Sequence, residues 1–155
     1  IHQPLHAGKA ADRGGNLTCV IWQGAASKLI TVDGKKQCSG ANLHVLWDSK
    51  IIRQATGFYR PGNAIRYARK LRHLMSALRQ EEPFIKASTP AAWRTVVERW
   101  HAETQALILS HHIYPPGKTI DRSYVQTHYQ TIQLQLLRAA VRLAAVLQRT
   151  LNHTP

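Results

Sequence analysis

The sequence predicts a mainly α fold with one small β-hairpin near the N-terminus. Three observations carry that reading. Apolar residues in the last third recur every three or four positions, the period of one helix face. Ser88-Thr89-Pro90 combines a cap with a first-turn proline, the signature of a helix start. The first third instead breaks into short β-prone runs separated by glycine-containing turns.

Taken in order, Leu17 to Trp22 and Lys28 to Val32 are the β-prone runs, and Gly24-Ala25-Ala26-Ser27 between them predicts the hairpin turn. Asp33-Gly34-Lys35-Lys36 and Ser39-Gly40 then mark loops. Arg60-Pro61-Gly62-Asn63 precedes a helix with Ile65, Ala68, Leu71, Met75 and Leu78 on one stripe. The helix opened by Ser88-Thr89-Pro90 turns Trp93, Val96, Val97, Trp100 and Leu107 inward. In the last helix, Ser123 and Gln126 have capping-box spacing. Val125, Tyr129, Ile132, Leu136, Ala140, Leu143, Leu147 and Leu151 form its stripe, over a length of roughly 40 Å at about 1.5 Å per residue. These stripes are read as core.

A chain of 155 residues with 44% hydrophobic content buries one core and is too short for two full domains. Proline and glycine total 16 residues, which excludes a collagenous or low-complexity chain. No apolar run approaches the roughly eighteen residues of a membrane helix. The chain opens Ile1-His2-Gln3-Pro4-Leu5-His6 without an initiator Met or secretory leader, so processing or cutting is expected. Lysine and arginine number 21 against 8 acids, a net charge of +13 that favours anionic partners. The charge is concentrated. From Ser49 to Gln80 stand Lys50, Arg53, Arg60, Arg66, Arg69, Lys70, Arg72 and Arg79 with no acid.

Two clusters hold the chemistry. His2-Gln-Pro-Leu-His6 is followed by Asp12-Arg13-Gly14-Gly15-Asn16, and Asn42-Leu-His44-Val-Leu-Trp47-Asp48 comes later. His44 and Asp48 are four apart and project from one helix face, where they can share an ion. A nitrogen from His6 would complete a two-histidine, one-aspartate set with an open position, as in catalytic zinc sites. On spacing alone, a hydrogen-bonded surface pair is the favoured reading of His44 and Asp48.

The wording of these clusters, in this order and spacing, resembles the class I zinc-dependent nucleases, the family of nuclease S-one, nuclease P-one and related 3′-nucleotidases. Trp100-His-Ala-Glu103-Thr looks like a degenerate form of a further family motif, and Tyr124 to Leu147 is similar to the family's last helix. The resemblance implies a helical fold of the phospholipase C and nuclease P-one type and three zinc ions. His6, His44 and Asp48 match the ligands of the isolated zinc, and Asn16 matches the residue contacting the nucleoside. Gly14 and Gly15 allow a close backbone approach to ligand, or make an ordinary turn. His2 matches a position that binds no metal, and Asn42 and Trp47 orient and pack the ligand helix.

The implied activity is hydrolysis of phosphodiesters in single-stranded RNA and DNA, and of nucleoside 3′-monophosphates, giving 5′-phosphorylated products. Ligands of the other two zincs and the general base match positions upstream. Residues 1–155 therefore correspond to the C-terminal portion of a single nuclease domain, expected to be catalytically incomplete alone. The N-terminal half is expected as a second chain, or an associated copy as partner.

A secreted or periplasmic location follows from the same resemblance, and there a Cys19–Cys38 disulfide is natural, with two buried thiols as the alternative. Asn16 and Asn152 begin glycosylation sequons, of which a glycan on Asn16 would block the proposed site. His73, His101, His111, His112, His128 and His153 lack ligand-like company. Two rivals remain: a zinc-dependent phospholipase C, and a non-catalytic basic module binding nucleic acid or an anionic surface.

Overall fold

The computed structural model describes residues 2–56, 63–72 and 89–151. Two short 3-10 turns, Pro4–Ala7 and Ala10–Asp12, lead into strand β1 (Ile21–Trp22) and then β2 (Leu29–Val32) and β3 (Lys35–Cys38). Helix α1 (Leu43–Val45), a π turn (Leu46–Lys50) and α2 (Ile51–Thr56) follow end to end. Then come α3 (Asn63–Leu71), α4 (Pro90–Ser110), strand β4 (Thr119–Ile120) and α5 (Arg122–Leu151). The mainly helical class with a small antiparallel hairpin is as the sequence predicts.

The hairpin itself lies one strand later than its sequence reading. β2 pairs antiparallel with β3, Leu29 opposite Cys38 and Val32 opposite Lys35. Asp33 and Gly34, read as a loop, make its turn at φ of 50° and 72°. Asp-Gly supplies the two positive φ angles that a twist-compatible two-residue turn demands. The chain does reverse after β1, through Gln23 and Gly24, and Trp22 bridges Ala25. That ladder stops there, and β1 pairs in parallel with β4 from the far end of the chain.

One core unites the N-terminal turns with the helices. Leu5, Val20, Trp22, Leu43, Leu46, Trp47, Ile51, Ile113, Ile120, Val125 and Ile132 are buried together. A smaller cluster seats Tyr67 and Leu71 of α3 against Leu137 and Val141 of α5. Tyr67 and Leu71 are thus the inward residues of α3, while Ile65 and Ala68 face solvent. Met75 and Leu78 lie outside the described residues.

α4 starts as its sequence announces, with Thr89 accepting from the Ala92 N–H and proline in the first turn. It buries Trp100 and Thr104, half-buries Trp93, Val96 and Leu107, and leaves Val97 exposed. α5 has 30 residues, about 45 Å at 1.5 Å per residue. Its cap is Asp121, whose Oδ1 accepts from the Tyr124 N–H at 2.8 Å and from the Ser123 hydroxyl at 2.8 Å. Ser123 is therefore inside the helix rather than capping it.

The predicted stripe of α5 holds only at its start. Val125 and Ile132 are buried and Tyr129 is half-buried, but Leu136, Ala140, Leu143, Leu147 and Leu151 are exposed. The buried face instead continues through Gln135, Leu137, Val141 and Arg142. Its polar members have partners: Gln135 donates to the His2 carbonyl at 3.0 Å, and Arg142 pairs with Glu103 of α4. A pattern of apolar residues alone is blind to a helix face that docks by hydrogen bonds.

Candidate metal centre

Three side chains from two segments meet at the edge of this core. His6 rides on the 3-10 turn Pro4–Ala7, started by Pro4 and by the Gln3 side chain, which accepts from the Leu5 N–H. His44 and Asp48 come from the helix that begins at α1, where Asn42 accepts from the Val45 N–H at 2.8 Å. His44 Nε2 stands 3.3 Å from Asp48 Oδ2, and His6 Nε2 stands 3.8 Å from Asp48 Oδ1. The two imidazoles stack with centroids 5.1 Å apart. One ligand atom from each residue can be chosen so that all lie within 4.8 Å of one another.

That spacing fits a metal. A tetrahedral ion bound at about 2.0–2.2 Å separates its ligand atoms by roughly 3.3–3.6 Å. Two imidazoles and a carboxylate are a donor set for a divalent ion. His44 is also held in the required tautomer: its Nδ1–H donates to the Gly14 carbonyl at 2.7 Å, leaving the Nε2 lone pair for the centre. Burial and the nearby His44 lower the pKa of His6 against the pull of Asp48, which favours the neutral, ligating form. His6 and Asp48 remain open to solvent on one side.

The Asp-x-Gly-Gly-Asn segment is the floor beneath His44. Gly14 and Gly15 have φ of 62° and 84°, and a Cβ on Gly14 would stand 2.2 Å from the Leu5 carbonyl oxygen. Asp12 ties the loop down, accepting from the Gly15 N–H at 2.9 Å, the Thr18 hydroxyl at 2.6 Å and the Tyr114 hydroxyl at 3.1 Å. Burial raises the Tyr114 phenol to about 12, so it stays a donor. Asn16 lies outside the triad, its amide donating to the Arg13 carbonyl at 2.9 Å. His2 is also outside it, with its ring 6.0 Å from Trp100 and its Nε2 3.3 Å from Arg142 Nη1. Buried Trp47 donates to the Tyr124 hydroxyl at 2.9 Å, which donates in turn to the Ile113 carbonyl.

Cys19 and Cys38 are joined as a disulfide, Cα atoms 5.4 Å apart, at the base of the β2–β3 hairpin. His128, one of the histidines without ligand-like company in the sequence, is buried between Tyr124 and Trp47. Its burial shows in the sequence only as membership of the face that also holds Val125, Ile132 and Gln135. Gln3 and Asp12 carry roles that residue type alone did not suggest. A Gln immediately before Pro4 was the available signal, since a side-chain acceptor followed by proline starts a helical turn.

Among the described residues no helix is long and apolar enough to cross a membrane. Compared with known proteins, the chain is 28% identical to "Endonuclease 2" of Arabidopsis thaliana over 96% of its length and 47% of that protein's. It is 26% identical to "Endonuclease 5" of the same plant, over the whole chain and 48% of the relative. The chain thus spans about half the length of the curated relatives it matches. The model of one family, described as S1/P1 Nuclease, matches residues 1–152. With motif, site geometry and near-complete coverage in agreement, the chain belongs to the S1/P1 nuclease family.

Proposed function

We propose that His6, His44 and Asp48 hold a zinc ion in an enzyme that hydrolyses phosphodiesters of single-stranded RNA and DNA and nucleoside 3′-monophosphates. The observation that carries this reading is the convergence of two imidazoles and one carboxylate, with His44 Nε2 and Asp48 Oδ2 at 3.3 Å. Bound there, zinc supplies positive charge to phosphate oxygens. The chain's own residues do the rest. His44 is held by Gly14 and presents one nitrogen, and His6 and Asp48 leave the outer side of the centre open to an incoming phosphate. Asn16, two residues beyond Gly14, is the proposed nucleoside contact, where the glycine backbone admits a close approach. Exposed Arg53, Arg66, Arg69, Lys70 and Arg72 attract the polyanion. The disulfide supports a secreted or periplasmic location.

Metal analysis together with nucleotide binding tests the reading. One zinc per chain is expected, removed by EDTA along with the retention of a nucleoside 3′-monophosphate, and lost more readily in His44→Ala than in His2→Ala. Nucleic-acid binding that persists unchanged in EDTA, by a chain taking no zinc, would mark a basic binding module instead. Zinc-dependent binding of a choline phospholipid in place of the nucleotide would move the assignment to a phospholipase C.

A further inference from the structure

Gln3 touches both halves of the triad. Its Oε1 accepts from the Leu5 N–H at the start of the turn that carries His6, and its Nε2 donates to Asp48 Oδ1 at 2.8 Å. The amide can sit only one way round, since its oxygen must face the N–H and its nitrogen the carboxylate. The backbone beside it is anchored as well, because the His2 carbonyl accepts from Gln135 of α5 at 3.0 Å.

Asp48 needs such a restraint. Its side chain is 40% exposed, and a surface carboxylate samples a broad range about its last torsion. With Oδ1 held by Gln3, Oδ2 faces His44 Nε2. We infer that Gln3 is a positioning residue for the metal centre, aiming the Asp48 carboxylate and coupling it to the turn that bears His6. This rests on the zinc reading above. Partners of this outer kind change metal affinity by about 10–100-fold when removed. Glutamine is the residue the geometry demands. Glutamate would set a second carboxylate against Asp48, whereas asparagine still offers an oxygen to a nearby N–H but is one methylene too short to reach Asp48.

The test is zinc affinity by chelator competition, started from metal-free protein, for four chains: natural, Gln3→Asn, Asp48→Ala and the double variant. Gln3→Asn is expected to weaken zinc binding about 10–100-fold in the natural background and to change nothing further in the Asp48→Ala background. Any general effect of Gln3 on the fold is common to both backgrounds and cancels in the cycle. An equal loss in both backgrounds, or no loss in either, overturns the inference while leaving the zinc site standing. A natural chain that binds no zinc overturns the site and this inference together.

Discussion

His44 donates from Nδ1 to the carbonyl oxygen of Gly14 at 2.7 Å, which makes a left-handed glycine the support of an imidazole in the candidate metal centre. Gly14→Ala is expected to fail on two counts. A side chain at φ of 62° costs about 1–2 kcal/mol, and its Cβ would collide with the Leu5 carbonyl oxygen. Gly24→Ala is the control, because Gly24 has a similar φ of 79° but nothing within 4 Å of its Cβ. Denaturant titration should show Gly14→Ala losing more stability than Gly24→Ala, and only Gly14→Ala losing zinc affinity.

The exposed basic residues of α2 and α3 should act through counterion release rather than base recognition. Binding of single-stranded nucleic acid is expected to fall steeply and log-linearly as salt rises, with a slope of about 0.7 for each phosphate neutralised. Charge removal at Arg66, Arg69 and Lys70 should flatten that slope equally for different base sequences. A binding constant that barely moves between low and physiological salt would make this block solvated surface.

The Cys19–Cys38 bridge closes a loop with a sequence separation of 19 at the foot of a hairpin whose own residues are largely exposed. Two exposed strands bury too little to hold themselves in place. Reduction, or Cys38→Ser, is expected to cost on the order of 2–4 kcal/mol. The check is the denaturation midpoint with and without reductant, and a midpoint unchanged by reduction would contradict the expectation.

His128 should make the fold acid-sensitive. Burial pulls its pKa down to about 4, with the nearby His111 and His112 adding like charge. In the unfolded chain it titrates near 6.5, so the unfolded state takes up the proton first as pH falls. Stability is thus fully present above about 6.5 and is lost progressively towards 4, by up to about 3 kcal/mol. His128→Gln should flatten this part of the profile of stability against pH; an identical profile would assign the acid sensitivity elsewhere.

The mainly α class, the Thr89-Pro90 helix start and the His44/Asp48 pair are legible in the chain alone, because each is a local pattern; His6 joins that pair only through the resemblance of its motif. A cap, a proline or an i, i+4 pair acts over a few residues, and its meaning survives whatever surrounds it. Asp33-Gly34 is a local signal of the same kind, although the sequence pattern sets the hairpin at the glycine turn before it. Which residues face one another across long separations is settled only by folding. β1 joins β4 instead of β2, and α5 turns Gln135 and Arg142 inward while Leu143 and Leu147 face solvent. Gln3 reaches Asp48 across 45 positions. Burial of a polar side chain depends on a partner elsewhere in the chain, as Gln135 has in the His2 carbonyl and Arg142 in Glu103. Periodicity counts apolar residues along one segment, so that partnership exists only once the chain has folded.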